Sequence, residues 1–189
     1  MRVFVAVAVL VVITTLLTPM LRVAHTWHGA ATHENVALQL DCYLLRAETN
    51  GYGKVSGPLA CAELIDQINH DDSAAYLVVA DDVGAETGWI EISAAWTAAL
   101  TLLSAVLGAA AIALPSARPP LRRFSIQAAM LAAGGGIVML NTVHRLLRAV
   151  ERPHDLNGAS FGEVGAGVYV TVALPLVLLA HSMRLKKER

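Results

Sequence analysis

The amino-acid sequence predicts an all-α membrane protein, a four-transmembrane-helix bundle with a small disulfide-linked α+β extracytoplasmic domain between helices 1 and 2. Three observations predict this fold class. The chain is 56% hydrophobic and only 15% charged, which is too apolar for a soluble domain of 189 residues. Four stretches without a charged residue are each long enough to cross a bilayer. Both cysteines lie in the long polar segment between the first two of these stretches.

The four uncharged stretches hold 19, 26, 21 and 20 residues, respectively Val3–Leu21, Ile92–Ala117, Phe124–His144 and Val164–Met183. A helix rises about 1.5 Å per residue, so roughly 20 residues cover a hydrocarbon core about 30 Å thick. The first stretch could instead be the apolar region of a signal peptide, because it follows a single arginine. We expect it to be retained as helix 1 and to end near Pro19, whose ring and missing N–H interrupt a helix.

The charges also predict an orientation. With both termini in the cytoplasm, the inner side holds eight basic residues and one acidic residue, while the outer side holds six basic and fourteen acidic residues. Basic residues close to the ends of the spans set the orientation of a membrane protein. The predicted units are transmembrane helix 1 (1–21), an extracytoplasmic domain (22–91), transmembrane helix 2 (92–117), a cytoplasmic loop (118–123), transmembrane helix 3 (124–144), an extracytoplasmic loop (145–163), transmembrane helix 4 (164–183) and a cytoplasmic tail (184–189).

Within the outer domain, residues 35–46 alternate in part between apolar and polar side chains, which predicts a strand. The turn residues Asn50 and Gly51 indicate a hairpin into a second strand at 54–56. Residues 58–69 have a helical period with proline in the first turn, and residues 76–80 are another strand candidate.

Cys42 and Cys61 are an even pair in one polar segment, which suits a single disulfide in an oxidising compartment. A bridge closing about 20 residues stabilises a fold by roughly 3 kcal/mol on a chain-entropy estimate. It would tie the first strand to the short helix. The alternative is two buried free thiols.

Three histidines, His25, His28 and His33, follow the first apolar stretch. His25 and His28 could share one face of a continuing helix and offer ligands to copper, zinc or haem. The alternative is a set of hydrogen-bonding histidines at the membrane interface. No cofactor is the leading expectation, with haem or copper as the alternative.

Asn141 and His144 share a face near the outer end of predicted helix 3. A polar pair at that depth could contact a quinone head group or another cofactor, or it could form hydrogen bonds between helices.

Small residues at helical spacing predict close packing between the membrane helices. They are Ser104, Gly108, Ala132, Gly136, Gly162, Gly165 and Gly167. Tryptophans at the ends of the spans predict anchors at the outer interface, because indole rings favour the head-group region. These are Trp27, Trp89 and Trp96.

Several function classes are disfavoured by the sequence. No Asp, Glu, Lys or Arg lies deep inside an apolar stretch, whereas proton relays, ion pathways and most transporters place ionisable residues there. The chain also lacks the nucleophile elbow, phosphate-binding loop, metalloprotease and dinucleotide-binding motifs. We therefore predict that the protein is not an enzyme.

The layout resembles the claudin and peripheral-myelin-protein group of four-helix membrane proteins. The resemblance lies in Trp27, the cysteine pair Cys42 and Cys61, and the GEVGAGVYV entrance to helix 4 at 162–170. It implies a first extracellular segment folded as a small sheet with a tryptophan and a disulfide, and a function in lateral assembly, adhesion or modulation of a partner complex. The chain has Gln39–Asp41 where the group has a Gly-Leu-Trp run.

These observations predict a non-enzymatic accessory, structural or assembly subunit of a larger membrane complex. Its expected partners are other integral membrane proteins, in a homo- or hetero-oligomer, and lipid, but not nucleic acid. The composition, rich in Ala, Val and Leu, is typical of a bacterial protein and favours the inner membrane. The alternatives are a redox or metal-binding subunit carrying haem, copper or quinone, and a carrier of a small molecule or lipid.

Overall fold

The computed structural model describes residues 1–28, 35–49, 53–57, 59–70, 81–150 and 158–187. These residues form five α-helices and five β-strands. The helices are α1 (Arg2–Leu17), α2 (Ala60–Asn69), α3 (Asp81–Ala113), α4 (Arg118–Val150) and α5 (Ala166–Lys187), with a short 3₁₀ turn at Pro115–Ala117 between α3 and α4. The strands are β1 (Leu21–His28), β2 (Asn35–Tyr43), β3 (Arg46–Thr49), β4 (Gly53–Ser56) and β5 (Gly158–Val164).

Three stretches of helix are long and apolar enough to cross a membrane, judged by length and composition within the described residues. They are Glu86–Ala113, Pro115–Arg148 and Ala166–Arg184. The first helix, α1, is apolar but has only 16 residues, because the chain leaves the helix after Leu17 and enters β1 at Leu21. These findings define a membrane protein with three candidate crossing helices and a small sheet.

The helices α1, α3, α4 and α5 pack against one another, with the closest association between α3 and α4. Small side chains permit this approach, since Ala94, Ala105, Ala129 and Ala132 are at most 1% exposed. Ser104 and Ser125 add a reciprocal pair of hydrogen bonds, in which each hydroxyl donates to the other residue's carbonyl oxygen at 2.8 and 2.9 Å. This exchange satisfies both hydroxyls inside an apolar contact.

The first helix lies antiparallel to the last. The Phe4 ring meets the His181 ring edge to face at 5.2 Å between centroids, and the Gly167 N–H donates to the Pro19 carbonyl oxygen at the other end. Phe4 is 1% exposed and lies against Gly108 of α3, where a side chain would overlap its ring. The start of α1 and the end of α5 therefore lie at the end of the helices opposite to the sheet.

The five strands form one antiparallel sheet in the order β4-β3-β2-β1-β5. Strand β1 connects two distant parts of the chain within this sheet. It pairs with β2 from the same segment and with β5 from the segment between α4 and α5. The sheet thus joins the two polar segments that flank the long helices.

Several sequence predictions are confirmed here. The predicted hairpin into residues 54–56 is present, with Thr49 opposite Gly53, but its first strand is β3 and not the strand predicted at 35–46. Helix α2 covers most of the predicted helix at 58–69. The single strand predicted at 35–46 is wrong in detail, because the chain turns after Tyr43 and begins β3 at Arg46. The strand predicted at 76–80 lies outside the described residues.

Two strands were not predicted. Residues 21–28 form β1, so the continuing helix predicted through His25 and His28 is wrong. Residues 158–164 form β5, although this glycine-containing run was predicted as a loop leading directly into helix 4. Strand β5 pairs only with β1 among the described strands, and β1 pairs with both β2 and β5. These are long-range interactions that local sequence does not encode.

The junction between β5 and α5 leaves no room for a side chain at Gly165. Its N–H donates to the Met20 carbonyl oxygen at 2.9 Å, and a Cβ atom would overlap the backbone carbonyl of Pro19. The backbone on both sides is held by pairing between β1 and β5, so the overlap cannot be relieved by a rotamer change.

We expect Gly165→Ala to lower the free energy of unfolding by about 2 to 3 kcal/mol, the upper range for overpacking a tight site. Gly88→Ala is the matched control, because its new methyl group would meet only the Ala62 Cβ at 3.8 Å, an ordinary contact. The measurement is the unfolding midpoint of each purified full-length variant in mild detergent. Equal midpoints for the two variants would contradict this account of the junction.

Candidate functional site: an apolar groove beside the disulfide-linked domain

Two neighbouring rows of the sheet, one charged and one apolar, cross all five strands. The strand register aligns five charged residues in one row across all five strands, namely Glu163, Arg22, Asp41, Glu48 and Lys54. The next row of the register is apolar: Val164, Leu21, Cys42, Ala47 and Val55. Because successive side chains of a strand point to opposite faces, this alternation leaves one face for packing and one for solvent.

Ion pairs hold the charged row together. Arg22 donates to both carboxylate oxygens of Asp41 at 2.6 and 3.2 Å, and the bond to Asp41 raises the pKa of the arginine further above its ordinary value. Lys54 lies 2.8 Å from Glu48, and its hydrogen bond lowers the pKa of that carboxyl. These cross-strand pairs favour the observed register.

The predicted disulfide is confirmed. Cys42 of β2 is bonded to Cys61 in the first turn of α2, with 5.5 Å between their Cα atoms. The two residues are 3% and 0% exposed, and they pack with Leu64 and Ile65 of α2. The bridge therefore attaches α2 to the apolar face of the sheet.

A buried carboxylate connects this domain to the long helix α3. Glu91 is 4% exposed, and its two oxygens accept hydrogen bonds from the backbone N–H groups of Cys61 at 2.7 Å and Ala62 at 3.1 Å. The first N–H groups of a helix have no partner within the helix, and the helix dipole favours a negative charge there. Glu91 thus caps α2 from a different helix.

Sequence reasoning missed this role, because in the sequence Glu91 is only the last charge before the apolar stretch Ile92–Ala117. The helix is predicted from residue 58, and only the structure shows that α2 begins at Ala60. The residue before α2 is therefore Leu59, which cannot cap a helix as Ser, Thr, Asp or Asn would. Leu59 also has a φ of +70°, a left-handed conformation that is unusual for a leucine. A helix start without a local cap requires an acceptor from elsewhere in the fold.

An apolar groove of about 590 Å³ lies between α3 and α4, next to this cap. It is lined by Leu59, Trp89, Glu91, Ile92, Ser93, Ala95, Trp96, Gly135 and Val138. Trp89 and Trp96 are 62% and 58% exposed, although they are the largest side chains of the lining. The groove therefore brings two tryptophans, a residue of the outer domain and the α4 backbone at Gly135 to one accessible surface.

The structure places the other predicted site residues apart from this groove. Ser104 and Ala132 are fully buried among the helices, Gly136 contacts Val172 of α5, and Gly167 contacts Thr18. Gly162 lies on β5 opposite Val23. Asn141 and His144 are exposed on α4, and neither forms a hydrogen bond within the described part of the chain.

The structure does not place the predicted histidines on a helix. His25 and His28 both lie on strand β1 and not on a continuing helix. His33 lies outside the described residues, and Trp27 is on β1. Among the residues described, no three His, Cys, Asp or Glu residues come together in a way that could hold a metal ion.

No protein-family model and no curated protein matches the chain.

Proposed function

We propose that this protein is a non-enzymatic accessory or assembly subunit of a larger membrane complex, and that it binds a helix of a partner membrane protein in the groove between α3 and α4. The observation that carries the proposal is the exposure of Trp89 and Trp96 beside Gly135 in an apolar groove of about 590 Å³. Tryptophan is enriched among the residues that dominate binding energy at interfaces.

The proposal includes four membrane crossings with both termini in the cytoplasm. Although α1 has only 16 residues, it packs beside α3 and α5 through the buried side chains of Phe4, Val7 and Val11. This packing supports α1 as a permanent helix of the bundle. The arginines of the turn at 118–123 and the tail that follows α5 favour the cytoplasm, which leaves the sheet domain on the outer side.

The rigid attachment of the domain also supports an assembly role. Leu59, at the start of α2, lines the groove together with Trp89 and Trp96 of α3. The disulfide and the Glu91 cap hold α2 against α3, so that one continuous surface combines the outer domain with the membrane helices. The disulfide-bearing sheet between the first two long apolar segments is in keeping with the resemblance to claudin-like proteins, which act by lateral assembly.

Replacing Trp96 with alanine tests the proposal. We expect Trp96→Ala to reduce the amount of a co-purifying integral membrane protein at least about tenfold, the effect typical of an interface tryptophan. The measurement is quantitative mass spectrometry after gentle purification of the full-length protein from its native membrane. Phe124→Ala is the matched control, because Phe124 is also 58% exposed but lies near the start of α4 and is not part of the groove lining.

The control is expected to retain the partner at the wild-type ratio. A wild-type protein that purifies as a lone monomer, or a Trp96→Ala variant that keeps its partner, would overturn the proposal.

A further inference from the structure

Five exposed residues form a stripe along α4, and none of their side chains forms a hydrogen bond or an ion pair within the described part of the molecule. We call it the amide stripe: Gln127, Leu131, Gly134, Val138 and Asn141. Successive members are four, three, four and three residues apart. This is the 3.5-residue spacing along which two helices pack against each other over several turns.

The stripe lies at the depth of the hydrocarbon core. Gly134 is the central residue of the uncharged stretch at 124–144, and the two amides are each seven residues away from it. Seven residues of helix cover about 10 Å, which is less than the roughly 15 Å from the centre of the core to its edge. Gln127 and Asn141 therefore hold polar side chains toward lipid, with no hydrogen bond from the residues described.

Gly134 provides a second, independent observation in favour of an external helix that packs on this stripe. Among the described residues, nothing lies within 4 Å of the position that its Cβ would occupy, whereas its neighbours Gly135 and Gly136 face Thr97 and Val172. Glycine is a poor helix former, and at this open position no contact with the described residues requires it. A glycine there allows a helix from outside to approach the α4 backbone closely.

We propose that the amide stripe binds the same stripe of a second copy of this chain, forming a homodimer with parallel, in-register α4 helices. Two copies in one membrane have the same orientation, so a two-fold axis along the membrane normal places identical residues opposite each other. Gln127 then meets Gln127 of the second copy, and Asn141 meets Asn141. A carboxamide carries both donors and an acceptor, so each pair satisfies itself.

The symmetric spacing of the stripe favours a second copy over a different protein. The two amides, Gln127 and Asn141, are equally far from Gly134 along the helix. When two copies of α4 pack in register, both amide pairs can therefore form while the backbones approach most closely at Gly134. This inference goes beyond the proposed function, because the dimer does not require a partner in the groove. Val138 belongs to the stripe and also lines the groove, but Trp96 lies outside the stripe, and Gln127 and Asn141 lie outside the groove. Substitutions at Trp96 and at the two amides therefore measure the two interactions separately.

Single introduced cysteines provide the first test. The two native cysteines are bonded to each other and buried, so an introduced cysteine supplies the free thiol. We expect Leu131→Cys, Gly134→Cys and Val138→Cys, in native membranes treated with copper phenanthroline, to give a band at twice the 20.0 kDa chain mass on a non-reducing gel. Met130→Cys and Ile137→Cys are the controls, since they are 57% and 67% exposed but lie off the stripe.

Fluorescence energy transfer between labelled copies in liposomes provides the second test. We expect Gln127→Leu combined with Asn141→Leu to weaken dimerisation roughly tenfold, as the loss of two hydrogen bonds between helices predicts. His144→Leu, an exposed position beside the stripe, should leave dimerisation unchanged. Cross-links that peak at the control positions, or a folded protein that gives none at the stripe, would overturn the proposal, as would an undiminished dimer in the double variant.

Discussion

Glu91→Ala is expected to destabilise the outer domain by about 3 kcal/mol, because two backbone N–H groups would lose a charged acceptor in a buried place. The Cys61 and Ala62 donors are held within 2.7 and 3.1 Å of the Glu91 oxygens. Glu91 is 4% exposed, so water cannot easily replace it. The loss should appear as a lower unfolding midpoint of the purified full-length protein and as faster proteolysis between residues 22 and 80.

Two further variants make the expectation specific. The stability of Glu91→Gln should lie between those of Glu91→Ala and the wild type. The carbonyl oxygen of the glutamine can accept one of the two hydrogen bonds, while its NH₂ group faces the second donor. Glu63→Ala removes an exposed carboxylate from the first turn of α2 itself, where the effect should stay within about 0.5 kcal/mol. If Glu91→Ala and Glu63→Ala were equally stable, the capping role would be refuted.

Removing the disulfide should have an effect of similar size. The bridge joins residues 19 positions apart. A loop of this length is expected to contribute about 3 kcal/mol by restricting the unfolded chain. The double variant Cys42→Ala/Cys61→Ala should therefore unfold at a lower denaturant concentration than the oxidised wild type.

Reduction provides the control for this second prediction. A reductant should lower the stability of the wild type to nearly that of the double variant, and it should not change the double variant. In the folded wild type, reduction should be slow, since both cysteines are at most 3% exposed. A wild type with the same midpoint before and after complete reduction would show that the bridge does not stabilise the fold.

The disulfide and the Glu91 cap act on the same helix, α2. Cys61 carries the disulfide sulfur and donates its N–H to Glu91. The effects of substitutions that share a residue are usually not additive. The loss of unfolding free energy in the triple variant Glu91→Ala/Cys42→Ala/Cys61→Ala should therefore differ from the sum of the two separate losses. The difference measures their coupling. A sum within experimental error would mean that the bridge and the cap stabilise α2 independently.

The groove illustrates which parts of a site can be predicted from sequence. Trp89 and Trp96 were identified as anchors by their position near the ends of apolar stretches, and the structure places both on an exposed surface. Their association with Gly135 could not be predicted. It depends on how α3 and α4 are rotated against each other, which is set by small buried residues along both helices.

The sequence by itself determined the parts of this protein that depend on local chemistry. Runs of apolar residues predicted the three long helices, turn residues predicted the β3–β4 hairpin, and the isolated cysteine pair predicted the disulfide. Only the tertiary structure decided that residues 21–28 and 158–164 form adjacent strands and that Glu91 caps α2. Strand pairing and capping across the fold depend on partners far away in the chain, so no short window of sequence contains them.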